Sequence, residues 1–568
     1  MSQLNAEKAS LYAPEVLAQL PRLLSLLDRE PDSITYGSCD RDHWCWKFRD
    51  FPVTTLQSAI YPLALLWRYP FPQNPCYRNQ RVLGWIEAAV WNLCGRQHPN
   101  GAFDSVGPYT QDHGVSLYVV YNLTETLLLL KDELPTVLVD SIKNTVRQAC
   151  RFALHSSEDY AFITNHQAFI ALALLNAGEL LGEAGLKERA EGIISQILQH
   201  QSEDGWYREY EGPDPGYESL GLFYLASYWQ KTGSPRLLES MRRSVEFYSH
   251  CVHPDGGVGG IYGSRHTSLF YPAGFEILAA EIPMADAVAR FVRERFRIGN
   301  VVTLAAVDPQ NLPSLCSAYL KSCFGDTAHR QLPDLPCQTL EGVRYFAESG
   351  ITAAGTSHYY AVIHAGKGGV CRIFDKSSGT IAYEDAGYLI AVNGKLWTSQ
   401  LLGSGQWDPP SGTEVSCSVR FAEVRHEQAT PFKFIVLRLL NLTLFRNLTL
   451  GAWIRRLILN RLILKRTYGP LRLLRSMRLD EEGVVFDDRI EPAGPLDVQS
   501  VRMPRAFTAI HMGSAKYFHS SEMATIQEPP PLDMTQNLTR GERAERRFVV
   551  TFQKSGTDSR LKEIGVRI

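Results

Sequence analysis

A run of helix-length apolar segments between about residue 55 and residue 330, divided by short glycine turns, constrains this chain most. Thr55 opens TLQSAIYPLALLWRY, Val115 opens VSLYVVYNLTETLLLL and Gln167 opens QAFIALALLNAGELL. Between such segments lie HPNGAFDS around Gly101, SEDGWYRE around Gly205 and HPDGGVGG around Gly256. Two helices in a hairpin cannot bury their apolar faces alone, so repeats of this kind stack or close into a ring. The pattern predicts a helical array over residues 1–335. Its loose period leaves open whether the ring is complete.

Near residue 340 the period changes. AESGITAAGTSHYYAVIHAGKGGVCRIFD, from Ala347, carries short β-rich runs broken by glycines, and IAYEDAGYLIAVNGKLWTS continues it. Asn393-Gly394 reads as a two-residue hairpin turn. RAFTAIHMG and RRFVVTFQ read as further strands, so residues 340–568 are expected to form an antiparallel sandwich, with the boundary at about 334–340. One segment breaks this pattern. Residues 428–479 hold eleven Lys or Arg and no acidic residue, set among dense Leu and Ile. That cationic amphipathic signature suits an anionic membrane surface, a protein partner or an acidic polymer. It equally suits an inserted helical pair whose Leu face covers the sandwich while its Arg face meets solvent.

Composition removes several function classes. A net charge of -2 with 45% hydrophobic residues gives no general excess of cations to meet a nucleic-acid backbone. No GxxxxGK[ST] loop and no HxH or HExxH cluster is present, so neither a nucleotide nor a metal cofactor is expected. The N-terminus shows no cationic segment leading into an apolar run. The eleven cysteines are scattered without a CxxC pair. Both features predict a cytoplasmic chain, at the inner face of a membrane if the cationic segment meets lipid.

Chemistry-bearing residues concentrate around the turns. Asn165-His166 open the helix in AFITNHQAFIALALL, and about forty residues later DGWYREYEGPDPGYESLGLFYLA contains Tyr207, Tyr210 and Tyr217. GGIYGSRHTSLFYPAGFE places Arg265-His266 in the third glycine turn. HYYAVIHAGKGG then YEDAGYLI follow in the β region. In this order the motifs resemble the heparinase II/III-like and alginate-lyase-like polysaccharide lyases, over roughly residues 90 to 400. The resemblance implies an α/α-toroid followed by a β-sandwich and an acidic, uronate-containing polysaccharide as substrate. It also implies β-elimination: a base removes the proton beside the carboxylate and an acid protonates the leaving oxygen, while the developing charge is neutralised.

By that resemblance Asn165 holds the substrate carboxyl. His166 neutralises it or acts as base, and Tyr217 is the acid and, for some substrates, the base. Arg265 is a candidate carboxylate contact or partner of the catalytic tyrosine, and His266 a second histidine. Asn165 also suits simple helix capping, and Arg265 and His266 could cap a helix or pair with Glu276. Trp44, Trp46 and Lys47, in CDRDHWCWKFRDFP, and Tyr207 are candidate sugar contacts. His113, after Asp112, is another, although Asp112 is as good a helix cap.

In the resembling lyases the early sandwich strands carry a histidine after the HAG-like turn. Here GGVCRIFDKSSG offers Cys371, Arg372 and Asp375, so His358 or His364 on the preceding strand is the expected substitute, with His358 favoured. Two other readings stand beside the lyase. One is a protein of exopolysaccharide assembly that binds a uronate polymer or epimerises it at C5 without cleaving. The other is a toroid glycoside hydrolase using two of Asp204, Glu209, Asp214, Glu218 and Asp255 across a cleft.

Overall fold

The computed structural model describes the chain except residues 1–2, 106, 158–160, 297–300, 326–330, 404, 426–427, 429, 460–465, 506, 511–516, 519–522, 524–533, 553–559 and 566–568. The helical region is built from six hairpins. Inner helices are α2 Ile60–Arg68, α4 His113–Leu130, α6 Thr164–Leu181, α8 Pro215–Thr232, α10 Ala273–Leu278 and α12 Leu312–Lys321. Outer helices are α1 Ala6–Leu26, α3 Gln80–Cys94, α5 Thr136–Leu154, α7 Ala184–His200, α9 Pro235–Ser249 and α11 Pro283–Glu294.

Each inner helix touches the next inner one, and α12 touches both α2 and α1, so the ring closes. Burial explains the sorting. On α4, α6 and α8 nearly every face is buried, whereas outer α9 and α11 keep one polar face for solvent. A helix apolar on all sides belongs inside, and one with a single apolar stripe belongs at the rim.

The helical region ends in a short turn of helix at Pro336–Thr339, and strand β1 begins at Gly342. Strands β1 Gly342–Phe346, β2 Ile351–Gly355, β3 Tyr359–His364, β4 Val370–Asp375 and β5 Thr380–Asp385 form one antiparallel sheet in sequence order. The second sheet holds β6 Leu389–Val392, β7 Lys395–Thr398, β8 Gly405–Trp407, β9 Glu414–Glu423, β10 Tyr468–Asp480, β11 Gly483–Pro492, β12 Val498–Arg502, β13 Ala544–Thr551 and β14 Arg560–Gly565. Its order is β12-β6-β7-β9-β10-β11-β13-β14, with β8 beside β9. Asn393 and Gly394, at φ 50° and 70°, make the β6–β7 turn in the left-handed pair of conformations that a two-residue hairpin favours. Of the strand expected at RAFTAIHMG, residues 507–510 are irregular, and residues 506 and 511–513 lie outside the described residues.

Strand β3 explains how the two halves join. Its sequence YYAVIH is buried at every position. Tyr360 and Val362 belong to the core shared with the toroid, while Tyr359, Ala361 and Ile363 face the second sheet. A strand covered on both faces reads as a continuous apolar run rather than an alternating one.

The cationic segment leaves the sandwich between β9 and β10, whose ends pair at Ala422 and Tyr468. It forms helices α13 Pro431–Leu442 and α14 Leu448–Leu459, and residues 460–465 lie outside the described residues. The expected Leu-in, Arg-out arrangement is reversed. Arg438 pairs with Asp50 of the N-terminal segment at 2.9 Å and lies over Phe51, while Ile435 and Leu439 face solvent.

Candidate active site

Three turns of the toroid are locked together at one end of the ring. Gly205, at φ +101°, carries the second turn past the Arg243 carbonyl, where a Cβ would collide at 2.4 Å. Beyond it Thr164 N donates to Arg208 O and Tyr210 N to Phe162 O, joining this turn to the start of α6. Asp214 caps α8: its Oδ1 accepts from Tyr217 N at 3.2 Å. Its Oδ2 accepts from Arg265 N at 2.7 Å and Thr267 N at 3.3 Å, so one carboxylate fixes the second turn against the third. Burial raises the pKa of Asp214, and these backbone N–H groups oppose the rise.

Asn165 is not the α6 cap, because Ile163 occupies that place. Its backbone N and its Nδ2 instead donate to Glu209 Oε1 at 2.8 Å and Oε2 at 2.7 Å. Glu209 is fully buried, which pushes its carboxyl up to about 8, against the pull of the Asn165 donors and the nearby His166. The cost of burying a carboxylate is met here by aimed N–H groups.

The sandwich enters this end of the toroid through the HAGKGG turn. His364 shares the toroid-facing parity of Tyr360 and Val362, and its Nδ1 lies 2.6 Å from Tyr262 O in the third turn, with Nε2 2.9 Å from Ser349 O. Burial pulls its pKa down to about 4, while the two carbonyls facing its two nitrogens can only accept and so favour the protonated ring. The Lys367 amine donates to Ile261 O at 2.8 Å and also to Gly263 O; burial moves it well below the usual lysine range, with Asp214 opposing. Arg372, standing where a histidine was looked for, donates to Gly259 O at 3.1 Å and pairs with Glu384.

Between the two halves lies a cleft of about 390 Å³, walled by Tyr210, Arg265 and His266 from the toroid and by Lys367, Gln400 and Leu402 from the sandwich. Five basic side chains, Arg208, Arg265, Lys367, Arg425 and Arg466, line it against two acidic ones, Glu211 and Glu423. Glu423 pairs with Arg425 at 2.7 Å and Lys395 at 3.2 Å, and Glu211 pairs with Arg466. The Arg265 guanidinium lies over the Tyr210 ring at 4.5 Å. Tyr210 and His266 both hold positive φ, 63° and 62°, a conformation that L-residues adopt rarely and that collects at functional sites.

The sequence candidates divide accordingly. Arg265 and His266 wall the cleft, and Glu276 is not their partner, since it binds Lys8, Arg293 and Tyr12. Asn165 and His166 stand behind the cleft on the Glu209 side. Tyr217, half-buried on the first turn of α8, lies beside Tyr271, whose hydroxyl is held well above its usual range by burial and then by Tyr217. Tyr207 is a correction: it is 1% exposed, its hydroxyl bonded to Ser240 Oγ at 2.7 Å, and it packs the core rather than meeting sugar.

His358 is another correction. It precedes β3 at the end opposite His364, about 20 Å away along the strand, so His364 is the histidine that reaches the junction. Trp44 anchors its own segment, donating from Nε1 to Leu26 O at 2.7 Å, and Trp46 is exposed and stacked on Phe48. Neither they nor Lys47 line the cleft. His113 bonds Ser156 in a separate pocket outside the junction, and Asp112 caps α4. From sequence Tyr210 was named without a role, and Lys367, Arg425 and Arg466 were not singled out as site residues. A lysine inside a glycine turn was the one available signal, because the others gain meaning only when distant segments meet.

The carboxylates weighed for hydrolysis do not face each other across this cleft. Asp204 accepts from Ala347 N and Glu348 N at the domain junction, and Asp255 accepts from Gly257 N. Glu218 is fully buried, accepting from Ser244 and Tyr207 N, while Glu209 and Asp214 are committed as described.

The family model for the N-terminal domain of ulvan lyases matches residues 53–271, less than half of the chain. Among solved structures, a Streptomyces coelicolor A3 chondroitin AC lyase in complex with chondroitin sulphate is similar at TM-score 0.53 and 12% identity, covering 87% of this chain and 67% of that one. A Paenibacillus xanthan lyase is similar at TM-score 0.52 and 10% identity, covering 87% of this chain and 47% of that one. The chain therefore spans about half the length of the xanthan lyase. No curated protein sequence matches. The fold is that of the heparinase-like and alginate-lyase-like polysaccharide lyases, a toroid followed by antiparallel sheets.

Proposed function

We propose that this chain is a carbon–oxygen lyase that cleaves a uronate-containing polysaccharide by β-elimination in the cleft between toroid and sandwich. One observation carries the reading: a cation-rich cleft with Tyr210, Arg265 and His266 in its wall, whose two lining carboxylates, Glu211 and Glu423, are each held in ion pairs. The fold is shared with chondroitin AC and xanthan lyases, which supports the reaction class. Removing a proton beside a carboxylate builds negative charge on that group, and fixed cations and N–H donors in a water-poor cleft stabilise it.

Arg265 takes the carboxylate in this scheme, Asn165 holds Glu209 behind the cleft wall, and His266 in the wall is the candidate base, with His166 behind it. Two tyrosines satisfy the need for a proton carrier: Tyr217, which the resemblance selects, and Tyr210, which carries Arg265 on its ring. The glycoside hydrolase reading loses its support with the dispersal of its carboxylates.

The test is ultraviolet absorbance of the conjugated unsaturated uronate during incubation with a panel of uronate polymers, using wild type, Tyr210→Phe and Tyr217→Phe. A rise abolished by one substitution identifies the proton carrier. No rise on any polymer that the protein binds would sink cleavage of those polymers. Exchange of solvent deuterium into the C5 position without a rise would establish epimerisation instead.

A further inference from the structure

Helix α13 is amphipathic the wrong way round for a helix that covers a core. Thr430 caps α13, its side chain accepting from Lys433 N, and Pro431 starts it, so the helix is well specified locally. The stripe turned to the toroid is polar. Arg438 pairs with Asp50, and Asn441 is buried against Gly107. In the following turn Arg446 lies over Tyr109 at 4.5 Å and donates to its hydroxyl at 3.1 Å.

The stripe turned to solvent is apolar: Phe432 is 73% exposed, Ile435 59%, Leu439 58% and Leu442 51%. These positions follow the i, i+3, i+7, i+10 spacing of one helical face. On α14, Leu450, Trp453 and Leu457 repeat it and are likewise exposed. Contiguous exposed apolar surface of this kind marks an interaction site.

Charge selects the occupant. Residues 430–465 carry seven Lys or Arg and no Asp or Glu. A second copy of the chain would set cations against cations, which disfavours pairing through this face. An anionic lipid surface suits both an exposed apolar stripe and a segment whose net charge is strongly positive, and a tryptophan on the apolar side suits the headgroup boundary. Neither helix is long or apolar enough to cross a bilayer. We infer that α13 and α14 lie in the surface of an anionic membrane, apolar stripe down, and hold the toroid mouth beside it. Arg466, just past this segment, lines the cleft, so the docked face and the polysaccharide cleft adjoin.

The experiment is co-sedimentation of the full chain with vesicles of phosphatidylcholine alone or phosphatidylcholine with phosphatidylglycerol. It compares wild type with an Ile435→Ser/Leu439→Ser variant whose melting temperature is first shown unchanged. Expected are binding to the anionic vesicles that weakens with salt, binding to neutral vesicles roughly tenfold weaker or less, and a loss of about tenfold or more in the variant. Absence of binding to anionic vesicles would overturn the inference. So would undiminished binding by the variant, which would mean that charge alone acts. Sedimentation velocity showing a wild-type dimer that the variant dissolves would assign the face to a second copy and overturn it as well. Lyase activity plays no part in the readout, so the inference stands or falls separately from the proposed reaction.

Discussion

The sandwich and the toroid mouth both bury charge, but they neutralise it by different means. In the sandwich Arg475 is wholly buried, with Nη1 2.9 Å from Asp385 and Nε and Nη2 at 2.7 and 2.8 Å from Asp488. Tyr388 donates to Asp488 at 2.7 Å, and Arg475 also donates to Gly369 O, tying the cluster to the turn that enters the toroid. At the mouth the buried carboxylates of Glu209 and Asp214 are met chiefly by backbone and amide N–H groups, and both are raised by burial. An arginine gripped by two carboxylates is rigid and chemically spent. Carboxylates held by N–H groups sit beside a cleft whose wall carries Arg265, stacked on the Tyr210 ring. The difference separates a region built to hold shape from one built to act.

The largest effect should come from breaking the matched cluster. Arg475→Met leaves two buried carboxylates without their cation and should lower unfolding free energy by about 3–5 kcal/mol, read by denaturant titration. A loss near zero would show that the trio is not the anchor described. Next, Arg265→Met should reduce lyase turnover by about 10²–10³-fold, the usual effect of removing one group aimed at the developing charge, with Tm shifted far less than in Arg475→Met. A comparable collapse of both would place Arg265 among the structural groups.

Lys367→Met, which leaves the Ile261 and Gly263 carbonyls without their donor, should destabilise by roughly 1–3 kcal/mol. Hydrogen exchange confined to the third turn would report it, and protection unchanged there would count against the lysine as the pin.

The pH dependence of Glu209 is a finer probe. Its folded value of about 8 exceeds the ordinary 4.5, so the unfolded chain releases this proton first. Folded stability therefore falls as pH rises through that interval and levels off above it. Glu209→Gln should remove this slope, so wild type should lose Tm relative to the variant between about pH 5 and about pH 9. Parallel curves would show that the carboxyl titrates normally. The smallest effect is expected from His358→Ala, within about 0.5 kcal/mol in stability and without change in turnover.

Much of this architecture was legible because its signals are local. Helix-length apolar runs, the Asn393-Gly394 turn and the change of period near residue 340 each depend on residues close in sequence. Asn165 and Glu209 were both noticed, but as a cap and as a candidate acid. Their bond spans 44 residues, and no local pattern shows that one holds the other. Even spacing suggested one face for His358 and His364, but His358 lies in the bend before β3, where strand parity does not apply. Which of them reaches Tyr262 depends on the end of the strand that meets the toroid, which parity does not encode.

The cationic segment shows the same limit from the other side. Its composition was plain, but the face it turns outward was expected in reverse, because burying Leu is the general rule and Asp50 lies far away in sequence.

The sequence by itself determined that the first half is an array of helical hairpins and the second antiparallel sheet, and where most of their elements lie. These follow from period, capping and turn chemistry, which act over a few residues. Only the tertiary structure decided that the ring closes, that Lys367 and His364 cross into it, that Tyr210 meets Arg265, and that the Leu stripe of α13 faces outward. Those outcomes depend on which distant carbonyls, carboxylates and rings are left to be satisfied once the core has formed, and that is a property of the packed whole.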